Sequence, residues 1–216
     1  MPRITDITVQ KRHADIYNVI IDGKFVCGLG ALELSGAGLK VGLELSDDDI
    51  AQLVARSQGS KAFNAALRYL SYRPRSEHEV RDYLLRKDYD GELVETTLSR
   101  LKENSFVNDT AFAESWIRSR QAGTPRSQRV LRMELTKKRV AKDVIEGALA
   151  EQDDDAELEA LRAVAKKKLR LPRFSQDKQK LTQYLVGQGY PYGDVKGVLS
   201  ELASEDDEAH NGTDHD

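Results

Sequence analysis

One pattern is written three times in this chain, and it limits the fold more than any other feature. Val80, Leu84, Tyr89, Val94 and Leu98 return about 50 residues later as Leu131, Leu135, Val140, Ile145 and Leu149. They return again as Leu181, Leu185, Tyr190, Val195 and Leu199. Each set opens with two apolar residues four apart, which is one face of an α-helix. A short break follows, and then a second helical face begins. The lead-in repeats as well: Arg73-Pro74-Arg75-Ser76 corresponds to Thr124-Pro125-Arg126-Ser127, whereas Phe174-Ser175-Gln176-Asp177 has drifted. A period of this length indicates stacked helical units. Burying five such side chains contributes roughly 8–15 kcal/mol, at about 1.5–3 kcal/mol each. Ordering a unit of that size costs several times more, so each unit depends on its neighbours. The expected fold is mainly α: three tandem three-helix repeats in an elongated array, preceded by a small β-rich module.

The boundaries expected are a β-rich module with a short helix at 1–60, repeats at 61–107, 108–152 and 156–203, and a disordered acidic tail at 204–216. In the first segment Ile7 and Val9, then Tyr17, Val19 and Ile21, alternate with polar neighbours as strands do. Asp22-Gly23 is a hairpin turn signal because a type I′ turn needs positive φ. Ser46, followed by Asp47, Asp48 and Asp49, reads as the N-cap of a helix to about Arg56. Ser57-Gln58-Gly59-Ser60 reads as the domain boundary. Helices are expected near 61–72, 77–87, 91–104, 109–121, 128–138, 141–151, 156–169, 176–186 and 192–203. Ser76 and Glu79 make a capping box, and Asn108 is an N-cap.

Charge is strongly segregated. The formal net charge of -3 combines +5 over residues 61–150 and +4 over 156–202 with -4 over 151–155 and -6 over 203–216. Residues 1–60 carry the remaining -2. Arginines and lysines gather at the chain breaks, once per unit. Arg73, Arg75 and Arg81 mark the first, Arg118, Arg120, Arg126, Arg129 and Arg132 the second. Lys166, Lys167, Lys168, Arg170 and Arg173 mark the third. Stacking could align them into a basic stripe that meets a polyanion, while the acidic tail competes for it. The plainer use of such charge is a solvated helix surface.

No enzyme signature is present. Gly28-Leu29-Gly30 has Glu33 where a dinucleotide fingerprint needs its third glycine, and no phosphate loop or nucleophile elbow occurs. The single cysteine, Cys27, excludes an internal disulfide framework and fits a reducing cytoplasm. His13, His78, His210 and His215 are scattered. No catalytic residue, cofactor or metal site is expected, and neither is a membrane span or signal peptide.

Two stretches resemble a known family. Tyr69-Leu70-Ser71-Tyr72-Arg73-Pro74-Arg75-Ser76-Glu77-His78-Glu79-Val80-Arg81 is similar to the opening motif of the RecX family of bacterial recombination regulators. Phe106-Val107-Asn108-Asp109-Thr110-Ala111-Phe112-Ala113-Glu114-Ser115-Trp116-Ile117-Arg118-Ser119-Arg120 resembles its central signature, and Arg126-Ser127 through Val140 continues it. The pattern departs at Arg139 and Asp88, where family members usually carry glycine. The likeness spans about 61–202, and the β-rich start resembles, more weakly, the extension of longer members. It implies a monomer that binds the RecA recombinase filament and single- or double-stranded DNA without sequence preference. It also implies restraint of ATP hydrolysis, strand exchange and the co-protease activity behind the SOS response. Two other readings stay open: a helix-turn-helix-like DNA-binding regulator, and a helical scaffold that binds protein alone.

Overall fold

The computed structural model describes residues 1–11, 13–123, 125–151 and 154–211. Three antiparallel strands, β1 (Ile4–Gln10), β2 (His13–Ile21) and β3 (Lys24–Gly30), form a sheet in sequence order. The β2–β3 turn is Asp22-Gly23, with φ of 46° and 76°, the positive values that the sequence demands. Helices follow: α1 (Ala31–Gly36), α2 (Asp47–Ser71), α3 (Glu77–Leu85), α4 (Gly91–Glu103), α5 (Asp109–Ala122), α6 (Gln128–Lys137) and α7 (Lys142–Ala150). The last are α8 (Asp154–Leu169), α9 (Pro172–Ser175), α10 (Lys178–Gly187) and α11 (Tyr192–Asn211).

The chain divides into two compact units. One joins Met1–Arg73 to Val80–Phe106, and the other joins Pro74–Glu79 to the chain from Val107 onward. In the first, Ile4, Val19, Ile21, Cys27 and Leu29 of the sheet bury against Leu45 and Leu53. The Ser46 cap is present: its hydroxyl accepts from Asp49 N at 3.1 Å, and the Asp49 carboxylate accepts from Ser46 N at 2.9 Å. The expected boundary at 57–60 is absent, because α2 runs unbroken from Asp47 to Ser71. Ser57 explains this. Read as a linker residue, it is buried inside the helix and donates to Gly28 O of β3 at 2.6 Å. The sheet thus supplies a polar partner to the residue that would otherwise favour a break.

In the second unit the repeats each carry their own core. Phe112, Ala113, Ile117, Leu131, Leu135, Val140, Ile145 and Leu149 form one. Leu161, Val164, Phe174, Leu181, Leu185, Tyr190, Val195 and Leu202 form the next. Of the fifteen repeated anchors, all but Tyr89 and Leu199 are buried.

The hairpin-like break of each repeat is a helix C-cap with one residue at positive φ: Asp88 at 59°, Arg139 at 58° and Gly189 at 93°. The next residue closes the cap by donating back to a leucine carbonyl. These bonds are Tyr89 N to Leu84 O (3.3 Å), Val140 N to Leu135 O (3.2 Å) and Tyr190 N to Leu185 O (3.4 Å). Replacing glycine by Asp88 and Arg139 therefore leaves the turn intact, at the steric cost that a left-handed L-residue bears.

Helix α11 corrects the expected tail. Residues 204–211 are helical, where disorder is expected from 204 onward. The expectation rested on the scarcity of apolar residues, and ion pairs tie Glu201 and Glu205 of this helix to α8. Arg162 of α8 binds Glu201 at 3.1 Å and also Glu205, and Lys166 reaches Glu205 at 3.3 Å. Residues 212–216 lie outside the described residues.

Candidate functional site

The second unit is organised by a serine that does two jobs. Ser76 opens α3 and Ser127 opens α6, and both are fully buried. As a cap, Ser76 Oγ accepts from Glu79 N at 3.2 Å, and Ser127 Oγ accepts from Val130 N at 3.3 Å. The Glu79 carboxylate also accepts from Ser76 N at 3.3 Å, completing the expected capping box. Each hydroxyl then donates its own hydrogen to a helix end later in the chain. Ser76 Oγ bonds Lys138 O at 2.8 Å, and Ser127 Oγ bonds Gln188 O at 2.8 Å. Lys138 and Gln188 are the C-caps of α6 and α10. The residue after each serine donates its backbone N–H to a carboxylate: Glu77 N to Asp109 at 2.8 Å, Gln128 N to Glu157 at 3.0 Å. The same joint is built twice around the recurring serine, with Gln188 in place of Lys138 and Glu157 in place of Asp109. Gly189 belongs to it too, since a Cβ there would stand 2.6 Å from Ser127 Oγ and 3.3 Å from Arg129 Cβ.

A polar cluster covers the first of these joints. Trp116 Nε1 donates to Glu134 at 2.8 Å, and the Arg120 guanidinium reaches the same oxygen at 2.8 Å. Arg120 also lies over the Trp116 ring at 4.4 Å, with Lys138 Nζ at 5.2 Å. Lys138 in turn pairs with Glu79 at 2.8 Å, and Arg75 stands 4.0 Å from the same carboxylate oxygen. Cation–π and ion-pair contacts thus fix the indole and both cations in one layer. At the second joint the Tyr190 hydroxyl is buried and finds no hydrogen-bond partner among the described residues. Burial, reinforced by the charge of Glu157, pushes it up to about 12.

The predicted basic residues have different fates. Arg81 forks onto Glu95 at 2.7 and 3.0 Å, and Arg132 forks onto Glu146 at 2.8 and 2.9 Å. Those hydrogen bonds hold Glu95 and Glu146 below the usual carboxylate range. Arg120 and Lys166 are paired as described, and Lys168 and Arg173 lie over the rings of Tyr184 and Phe174 at 4.8 and 4.6 Å. Arg75 and Arg126 are half-buried beside the two joint serines, and Arg73 is exposed. Arg118, Arg129, Lys167 and Arg170 are exposed and have no carboxylate partner within ion-pair distance among the described residues. Arg118 shares a cavity wall with Glu114 and Glu151, and Arg170 shares one with Lys166 and Glu205. Sequence reasoning missed the double role of Ser76 and Ser127, although their recurrence 51 residues apart was a visible signal. It also missed Glu134, Glu146 and Glu157 as partners, because nothing local marks a contact made across helices.

Family models match the helical body in order. They are the first three-helix domain of RecX at residues 62–101, the second at 108–149 and the third at 155–199. The chain belongs to the RecX family. A regulatory protein RecX from Halalkalibacterium halodurans is 36% identical over 96% of this chain and 81% of the relative. One from Bacillus subtilis is 31% identical over 96% and 80%. Among solved structures, a regulatory protein RecX superposes with a TM-score of 0.77 at 26% identity, covering 93% of this chain and all of that one. RecX from Lactobacillus salivarius gives 0.61 at 30% identity, over 68% and 97%. The relatives' coverage takes in the strand module as well as the repeats. No described helix is long and apolar enough to cross a membrane. Among the described residues no cluster of three or more metal-ligating side chains occurs.

Proposed function

We propose that this RecX-family protein binds the RecA recombinase and its DNA filament in the cytoplasm, as a monomer. Once bound, it restrains ATP hydrolysis, strand exchange and co-protease activity. The support is the set Arg118, Arg129, Lys167 and Arg170 in the family's second and third domains, exposed and without carboxylate partners among the described residues. A cation already neutralised at short range gains little by meeting phosphate, whereas an unpaired one releases counterions when it does. Arg81 and Arg132, each gripped by a carboxylate, contribute less.

Hydrolysis of ATP by RecA on single-stranded DNA, titrated with wild type and with an Arg118→Ala/Arg129→Ala/Arg170→Ala variant, tests this. The wild type suppresses hydrolysis and the variant requires a higher concentration to do so, while Arg132→Ala resembles wild type. A salt series on bare DNA then sorts the contacts. Each phosphate contact removed lowers the log–log slope by about 0.9, whereas contacts to acidic groups on the recombinase leave that slope unchanged. Wild-type protein without effect on hydrolysis or strand exchange would remove the assignment.

A further inference from the structure

The first compact unit holds a cavity of about 570 Å³ that the filament reading does not use. Its volume lies within the roughly 300–1,000 Å³ of small-molecule sites. The walls come from the strand module, α2 and the α3–α4 region, all parts of one unit. Three cations converge there: Lys61 and Arg68 from α2 and Arg100 from α4. All three are exposed, and none has a carboxylate partner within ion-pair distance among the described residues. This contrasts with Arg3 and Arg81 of the same unit, which pair with Glu44 and Glu95 at 2.9 and 2.7 Å. Arg100 is instead stacked over the Phe63 ring at 4.6 Å.

The remaining wall narrows the ligand. Phe63 and Tyr89 supply flat apolar surface, and Asn64 supplies an amide able to donate and accept. Burial raises the Tyr89 phenol, and nearby Arg68 opposes that shift, so cation and phenol lie within electrostatic reach. Two carboxylates also line the space. Glu33 is occupied by Ser60 Oγ and by Gly30 N at 3.1 Å. Asp15 is exposed, and its carboxylate has no hydrogen-bond or ion-pair partner among the described residues. A bare polyanion would meet Asp15 as a like charge. A ligand carrying a phosphate at one end and hydroxyl or amine donors at the other satisfies both signs.

We infer that this cavity binds a nucleotide, its phosphate held by Lys61, Arg68 and Arg100 and its base against Phe63 and Tyr89. The nucleotide comes either free or as one unit of a single strand, since both present the same chemistry. The site stands apart from the basic residues of the second and third domains and does not depend on the filament reading.

Photo-crosslinking of the full chain tests it with two probes, iododeoxyuridine monophosphate and an oligothymidylate carrying one iodouracil, followed by peptide mapping. The expected adducts fall on Phe63 or Tyr89. They drop by roughly tenfold or more in Lys61→Glu/Arg68→Glu, because charge-assisted contacts are lost. They persist in the charge-matched control Lys24→Glu/Arg86→Glu, whose residues are exposed in the same unit but outside the cavity. Labelling by the mononucleotide identifies a free ligand, and labelling by the oligonucleotide alone identifies a strand. Adducts confined to the second and third domains overturn the site, as does equal loss in both double variants or no labelling by either probe. Circular dichroism confirms that each variant keeps its fold.

Discussion

Ser127 and Asp177 occupy the same place in successive repeats, and their surroundings are opposite. Both cap a helix: Ser127 Oγ accepts from Val130 N at 3.3 Å, and Asp177 accepts from Lys180 N at 2.9 Å. Ser127 is fully buried and passes a hydrogen on to Gln188 O, whereas Asp177 is exposed. A serine hydroxyl donates and accepts at once, but an ionised carboxylate only accepts. The serine can therefore cap its own helix and dock on another. Aspartate caps equally well and has no hydrogen to offer a further carbonyl. The change of one residue type separates an opening residue that caps and docks from one that only caps.

The largest effect is expected from Leu135→Ala, which empties a fully buried site in the core between two joints. It should cost about 2–5 kcal/mol in chemical denaturation. Leu185→Ala in the terminal repeat removes as much volume. Hydrogen exchange on that variant should show α8 to α11 loosened with α5 to α7 still protected. Equal loosening of both repeats would show that the end is coupled as tightly as the middle.

Ser127→Ala comes next, because it removes a cap and leaves the Gln188 carbonyl without its donor. Loss of the cap costs about 0.5–2 kcal/mol, and a buried unsatisfied acceptor about 1–3 kcal/mol. Asp177→Ala, losing a cap alone, should cost about 1 kcal/mol. If thermal or urea unfolding shows the two substitutions to be equal, the Ser127–Gln188 bond contributes nothing and the comparison fails.

The smallest effect has the opposite sign. Arg139→Gly should raise stability by about 0.5–1 kcal/mol, since glycine accepts a φ of 58° without steric cost but loses more entropy on folding. Gly189→Ala tests the same corner in reverse. It adds a left-handed strain and a contact with Ser127, so combining it with Ser127→Ala should relieve part of the loss.

These residues also show what a sequence can reveal. The repeated anchors were legible because burial at helical spacing is a local pattern, and the Asp22-Gly23 turn was legible because φ is set residue by residue. The Ser76–Glu79 capping box belongs to the same class. The continuity of α2 was not legible, since it depends on Ser57 meeting Gly28 O, a partner 29 residues earlier. The pairing of Glu205 with Arg162 and Lys166 was hidden for the same reason, since both partners lie far back along the chain. Counting charges identified the basic clusters but could not tell Arg132, consumed by Glu146, from Arg129, which is not.

The uninterrupted α2 has a consequence for how the protein comes apart. Its 25 residues span about 37 Å at 1.5 Å per residue, and they serve the sheet at one end and the first repeat at the other. Cleavage near residue 60 would cut through the middle of a helical rod rather than between two folding units. The sheet and the first repeat should therefore melt as one cooperative body, with amide protection continuous along α2. A protease seeking a seam in the first unit should find none between them.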